Sequence, residues 1–306
     1  TQDPVAEFSE ALAAAGLIVE SVQMDGKRHR VPVQGDTGAQ RSGTYIGHLD
    51  GHPAGYIQNF REGTRENWKA SGTSQALTSE DRARLTAEAK AMSAEREAAQ
   101  RATFERTAGA MVSLLAVAPV AASHPYLEKK GLSGESLRQV PKDARDLPAD
   151  TPIKIAATSQ EAGALRLSDE NAIVMIAGDL LVPLYDADGN VTTVQTINAN
   201  GMKGMAKGGK LAGSSHALPG VDGALNGAIV VAEGWATAAS INEATGAMTV
   251  AALSAGNMLA VAESLRQRFP DRPIILAGDN DIESELKGKP NTGKDAAEKA
   301  AARVHG

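Results

Sequence analysis

Two acidic signals stand in the last third of the chain, each where an apolar run stops. Ala-Ile-Val-Val-Ala leads into Glu233 and Gly234, and Pro-Ile-Ile-Leu-Ala-Gly leads into Asp279, Asn280 and Asp281. Short apolar runs of this kind read as strands buried on both faces of a parallel sheet. Acidic groups at their ends fall on the carboxyl edge, where open α/β sheets bind ligands. Asp279 and Asp281 are two apart, so they share a strand face and both can reach one cation. Two carboxylates this close repel unless a cation or proton intervenes. One glutamate plus an Asp-x-Asp pair can hold Mg²⁺ and handle a proton in phosphoryl chemistry. Glu233 could act as general acid/base or join the metal shell, and Gly234 lets a phosphate approach the backbone. Taken alone, Glu-Gly says little, because a glutamate at a helix start also serves the helix dipole. The plainer account of the Asp pair is a polar loop after a buried strand, and Asn280 reads as structural.

The elements that must position these residues form an α/β pattern. Residues 226–304 alternate strand, helix, strand, helix. Strands hold Val230, Thr249 and Ile274–Ala277, and helices cover 235–244, 257–268 and 293–304. The spacing predicts a parallel sheet flanked by helices, with a right-handed crossover. Before it, residues 150–218 read as strands with tight turns: 153–157, 172–176, 180–185, 191–198 and 215–218, with Asp188-Gly189 as a hairpin turn. A long Ala/Glu/Arg-rich helix starts at Thr78 with a capping residue and early acids, carries alternating charges that suit a solvated connector, and ends before Pro119. A further helix follows the His124-Pro125 step. The N-terminal part reads as a small α+β domain, with a helix over 5–16 and strands over 17–24, 28–33, 43–49 and 53–60, turning at Asp25-Gly26 and Asp50-Gly51. The expected organisation is a β-rich N-terminal domain (1–77), a helical connector (78–149), a β-rich subdomain (150–225) and a domain carrying the carboxylates (226–306).

Composition bounds the partners. The net charge is −6, which argues against tight non-specific binding to duplex DNA. Aromatic residues make up only 3% of the chain, so extensive base stacking is not expected. Trp68, Tyr56 and Phe60 read as one hydrophobic cluster rather than a stacking platform. Without cysteine, disulfides and thiolate metal sites are impossible. The histidines, with His48 and His52 flanking a turn, do not read as a metal site. No apolar run is long enough to span a bilayer, so no membrane partner is expected and the cytoplasm is the default location. The chain begins with Thr rather than Met, which suits a piece of something longer.

Several basic residues stand near the acidic strands. Lys203, Lys207 and Lys210 lie with Gly204, Gly208 and Gly209 in a stretch, 201–216, that has no acid and reads as a flexible segment. Lys287, Lys289 and Lys294 follow the Asp pair. Any of these could neutralise phosphates, or simply be solvated. Asn257 falls at a strand-to-helix junction, where its amide could meet substrate or cap the helix. The Gly288–Lys294 run lacks the spacing of a phosphate-binding P-loop.

The paired motifs, 46 residues apart from Glu233 to Asp279, resemble the Toprim domain of bacterial-type primases, topoisomerases and some nucleases. Their flanks at 233–241, 255–257 and 291–297 resemble Toprim primases of conjugative plasmids and phages. Residues 25–30, 45–55, 124–132 and 181–190 look like the same group. The resemblance implies a C-terminal Toprim-like parallel sheet. It implies a primase core that makes short RNA primers from ribonucleoside triphosphates on single-stranded DNA. In that reading Asp279 and Asp281 hold Mg²⁺ (or Mn²⁺), Glu233 completes the cluster or manages the proton, and Lys203, Lys207, Lys210, Asn257 and Lys294 meet nucleotide or template. A helicase or relaxase, fused or separate, is an implied partner. The absence of cysteine departs from replicative primases, which carry a zinc module. A Toprim nuclease and a non-catalytic single-strand-binding module are the alternatives.

Overall fold

The computed structural model describes residues 3–49, 52–71, 79–280, 282, 286, 288 and 290–305. The Asp50-Gly51 turn, the capping Thr78, Asp281, Lys287 and Lys289 lie outside the described residues. The chain divides into two compact units, Thr1–Arg96 and Glu97–Gly306.

The first unit opens with helix α1 (Pro4–Ala14). Asp3 caps it by accepting from the Val5 N–H at 3.1 Å, and Pro4 sits at the first helical position, where its missing N–H costs nothing. Four strands follow, β1 (His29–Val31), β2 (Gly43–His48), β3 (Ala54–Asn59) and β4 (Thr64–Lys69). They form an antiparallel sheet in chain order. α1 buries Phe8 and Leu12 against Tyr45, Ile57 and Trp68. The expected strand over 17–24 does not form; isolated bridges stand at its start, Leu17–Val33, and just past its end, Asp25–His48. Ile18 donates to the Pro32 carbonyl, but Pro32 has no N–H to return, so the ladder cannot extend. The sequence reading missed β4 because it is an exposed polar edge strand in which only Trp68 is buried.

The second unit takes in the C-terminal part of helix α2 (Ser79–Val117). This helix is not a solvated connector throughout. Its end buries Ala110, Met111 and Leu114 in a core with Ile153, Ile173, Leu181 and Val194. Helix α3 (Pro125–Lys130) follows, capped by His124. Then come β5 (Arg138–Gln139), β6 (Ile153–Ala156), helix α4 (Ser159–Ser168) and β7 (Ile173–Ile176). β6 and β7 pair in parallel, so this region is a βαβ unit rather than the run of strands expected. α4 was hidden because Ser159–Ser168 carries few apolar residues and buries only Ala162. β8 (Leu180–Tyr185), β9 (Val191–Ile197) and β10 (Lys203–Met205) complete an antiparallel sheet of order β10-β9-β8-β5.

The last sheet contains β11 (His216–Leu218), β12 (Ile229–Ala232), β13 (Met248–Ala251) and β14 (Ile274–Ala277), with helices α5 (Trp235–Thr245), α6 (Met258–Arg268) and α7 (Thr292–Val304). Its order is β11-β13-β12-β14. β12 pairs in parallel with β13 and β14, while β11 is an antiparallel edge. The two larger sheets of this unit meet where Tyr185 and Ser215 exchange backbone hydrogen bonds at 2.9 Å. Beside that pairing, buried His216 bonds the Pro183 carbonyl at 2.8 Å. A carbonyl only accepts, so Nδ1 carries the proton and Nε2 is left without one. Nε2 is buried without a partner, so protonating it would strand a charge. Among the described residues no helix is long and apolar enough to cross a membrane.

Burial holds the His216 pKa below its ordinary value, outweighing the Pro183 bond that would raise it. The unfolded chain therefore binds more protons as pH falls below about 6.5, and stability rises with pH across that window. His124 is depressed in the same sense, by burial. His216→Asn, whose amide can still donate to Pro183 but does not titrate, is expected to flatten the acid dependence. The change is at most about 1.4 kcal/mol per pH unit. Urea denaturation from pH 8 to pH 5 checks it; an unchanged slope would contradict the assignment.

Candidate active site

β12, β13 and β14 finish level: Ala232 pairs with Ala251 on one side and with Ala277 on the other. The chain leaves each strand at the same height, so Glu233 and the Gly278-Asp279 step emerge side by side at the carboxyl edge. Gly234 is the N-cap of α5 and is extended, at φ −111° and ψ 155°. It turns the chain directly from strand to helix. Trp235, the first helical residue, is buried against Tyr126, Leu137, Leu180 and Ile197. That anchor fixes the α5 start and with it the Glu233 backbone.

Glu233 is half-buried. Burial pushes its pKa up and the Asp279 charge pushes the same way; an Ala255 N–H bond and the Lys203 charge oppose them, and the net result is a raised pKa. The structure thus puts Glu233, Asp279 and Lys203 within electrostatic reach of one another. Lys203 lies on β10, and its Nζ would stand 3.5 Å from a Cβ added at Gly234. The segment expected to be flexible is therefore partly a strand, paired with β9 from Lys203–Ile197 to Met205–Gln195.

Two glycines close the other wall. Gly278 follows β14, and Gly293 lies in the first turn of α7. A Cβ on Gly278 would stand 2.7 Å from the Ala297 Cβ and press on the Gly293 carbonyl. A Cβ on Gly293 would overlap the Asp279 carbonyl and stand 3.0 Å from Glu233 Oε2. Only hydrogen at both positions lets the helix start reach the two carboxylates. Asn291, buried at the α7 N-cap, donates to Asn280 Oδ1 at 2.7 Å, so Asn280 is a structural tie as expected from the sequence. Leu253, in the loop after β13, is held at φ 66°. That is a strained value for a leucine, of the kind found where a site over-determines its loop.

Lys207, Lys210 and Asn257 have partners of their own. Lys207 bonds the Glu170 carbonyl through its amine. Lys210 acts on Asp186. Lys294 is exposed in the first turn of α7. The Asn257 amide is buried and spent on backbone: it accepts from Gly213 N–H and donates to the Ser214 and Ala252 carbonyls, each at 2.8 Å. It makes no cap bond to α6, contrary to one expectation, and has no donor left for substrate. It holds in place the loop whose Ala255 N–H reaches Glu233. Among the described residues no cluster of three metal-ligating side chains occurs; Asp281, the expected third carboxylate, lies outside them. Glu233 and Asp279 nonetheless suit a divalent cation, since the Asp279 charge raises the cost of ionising Glu233 and a positive charge between them would lower it.

Residues 228–306 match the family model described as the Toprim domain. The parallel strands β12, β13 and β14 and helices α5, α6 and α7 fall within that match. Over 312 residues the chain is 39% identical to DNA primase TraC of Escherichia coli, covering 99% of this chain and 26% of that protein. A second DNA primase TraC of Escherichia coli is 37% identical over 314 residues, covering 99% of this chain and 19% of that one. The chain thus spans about a quarter and a fifth of the curated relatives it matches. No solved structure matches it. Within residues 228–306, Gly278, Gly293 and Asn291 are the site-building residues the sequence reading did not single out. The Asn-Thr-Gly text at 291–293 was the available signal, because a glycine inside a helix start invites a packing reason.

Gly293→Ala should lose about 1–3 kcal/mol of stability through overpacking, although alanine favours helix. Gly163→Ala, in α4 with nothing within 4 Å of the added carbon, should gain about 0.4–1 kcal/mol. Urea denaturation of the two variants checks the contrast; equal effects would remove the close approach from the account.

Proposed function

We propose that this chain is the catalytic core of a DNA primase, which joins ribonucleotides into short primers on single-stranded DNA in plasmid or phage replication or conjugation. The observation that carries the reading is the meeting of Glu233 and Asp279 at the level ends of β12 and β14. The similarity to DNA primase TraC along 99% of the chain supports it.

The reaction is attack of a 3′-hydroxyl on the α-phosphate of a nucleoside triphosphate, releasing pyrophosphate. Mg²⁺ or Mn²⁺, when bound, would neutralise phosphate charge and polarise the reacting phosphoryl group. Asp279, with Asp281, supplies the carboxylates that would hold it. Glu233 completes that cluster or takes the proton of the attacking hydroxyl. Both uses need it ionised, and Lys203 counters the burial that resists ionisation. Lys203 also offers a cation to a phosphate that arrives over Gly234, where no side chain obstructs it. Positioning and charge neutralisation carry most of such catalysis. Template and nucleotides of this kind place the reaction in the cytoplasm, and a helicase or relaxase, fused or separate, would supply the single strand.

The test is a primer-synthesis assay with single-stranded DNA, labelled ribonucleotides and Mg²⁺ or Mn²⁺, resolved on a denaturing gel. Short RNA from the wild type, reduced by a factor on the order of a hundred or more in Glu233→Gln and Asp279→Asn, is expected. Lys203→Ala should lose on the order of tenfold, as for one charge-assisted contact. Lys207→Ala should stay within about twofold. Cation-dependent shortening of the template without RNA product would make the protein a nuclease instead.

A further inference from the structure

We propose that the outer face of the N-terminal sheet binds single-stranded nucleic acid, at a site separate from the carboxylates. The register defines that face. Arg30 stands opposite Thr44, Thr44 opposite Gln58, and Gln58 opposite Arg65. The next rows are Ile46–Tyr56–Asn67 and His48–Ala54–Lys69. Side chains alternate between faces along a strand, so these ten residues share one side. The other side carries Tyr45, Ile57 and Trp68 into the core with α1.

The composition of the face is one-sided. The ten residues that the register assigns to it include three cations and no carboxylate, in a chain whose net charge is −6; Asp25 stands opposite His48 at its end, with its carboxylate bonded to His29 at 2.8 Å. Arg30, Arg65, Asn67 and Lys69 are exposed, and Ile46, Tyr56 and Gln58 are half-buried between them. The Tyr56 hydroxyl donates to Gln58 Oε1 at 2.9 Å, which fixes the ring on the surface. Phe60 continues the same parity just past β3 and is 47% exposed. The Arg30 guanidinium lies over its ring at 4.7 Å. At a rise of about 3.3 Å per residue, the two rings are spaced about 13 Å apart along β3.

Aromatic rings in the middle of a sheet and cations along its edges match the two parts of a single strand. Bases offer π faces to Tyr56 and Phe60, and phosphates meet Arg65 and Lys69 on β4 and Arg30 on β1. Three cations are too few to hold a duplex by its backbone, which needs many phosphate contacts. A protein-docking face would instead be more apolar at its centre. The sequence reading assigned Trp68, Tyr56 and Phe60 to one hydrophobic cluster. The structure separates them: Trp68 is core, while Tyr56 and Phe60 face outward. The proposal concerns a different unit from Glu233 and Asp279 and stands whether or not those residues make primers.

The experiment is anisotropy of fluorescently labelled oligo-dT and oligo-U titrated with the full chain, in EDTA, over a series of salt concentrations. Arg65→Gln plus Lys69→Gln is expected to weaken binding on the order of tenfold or more. It should also make the slope of log K against log salt shallower by about 1.4, as for two lost contacts to a single strand. Tyr56→Ala should weaken binding on the order of tenfold and leave that slope unchanged, which an electrostatic patch alone would not do. Lys154→Gln plus Arg166→Gln removes the same charge from exposed sites of the other unit and should stay within about twofold. Whichever oligonucleotide binds tighter identifies the strand. Wild-type affinity in the Arg65/Lys69 variant overturns the proposal, as does equal loss in the Lys154/Arg166 variant. Because Arg65 and Lys69 are exposed, the first comparison survives even if Tyr56→Ala folds poorly.

Discussion

Glu233 and Asp279 can act together only because three parallel strands stop on one line. The Ala232, Ala251 and Ala277 row is made of the smallest chiral side chain, so nothing bulky separates the residues that follow. A slip of one residue in the β12–β14 pairing would turn each side chain to the opposite face and part the carboxylates. That register is held by the packing of Ile229, Val231, Val250 and Ile274 with α6 and α7 in one core. The hydrophobic contacts behind the sheet thus set the distance between charges at its edge.

Holding the half-buried Glu233 carboxylate beside the exposed Asp279 costs free energy, and the surroundings show how it is offset. Ala255 gives Glu233 a backbone hydrogen bond, and Lys203 gives it a positive charge. Neither group is held by the parallel strands alone. Ala255 sits in a loop whose geometry depends on the three bonds of the Asn257 amide. Lys203 arrives on β10 from the neighbouring sheet. Two buried asparagines, Asn257 and Asn291, tie the loops on either side of the site, and an aspartate at either place would set a charge against groups matched to an amide.

The sequence showed the strands and helices of the last third well, because buried parallel strands are short apolar runs that alternate with helical stretches. It showed Glu233 and Asp279 for the same reason, since each ends such a run. It did not show the antiparallel edge. Residues 215–218 read as part of the preceding β-rich region, yet His216–Leu218 pairs with β13. Periodicity identifies a strand but not its partner. It also hid β4 and α4, whose residues are mostly exposed and so carry no pattern. The Gly278–Gly293 contact was out of reach, because a close approach between two distant glycines is a property of packing. Asn257 was read as facing substrate or capping α6; its burial instead turns every polar atom toward backbone.

Residues 228–306 match one family model, yet they are not a self-sufficient physical piece. β11 lies upstream of that span and covers the free edge of β13. Trp235 shares one buried cluster with Tyr126, Leu137, Leu180 and Ile197, all upstream of that span. A chain cut to the family boundary would leave one row of backbone donors and acceptors open and one large aromatic unhoused. Open edges of that sort template pairing between chains. Residues 97–227 therefore also cover an edge and a core face of the C-terminal sheet that would otherwise be open.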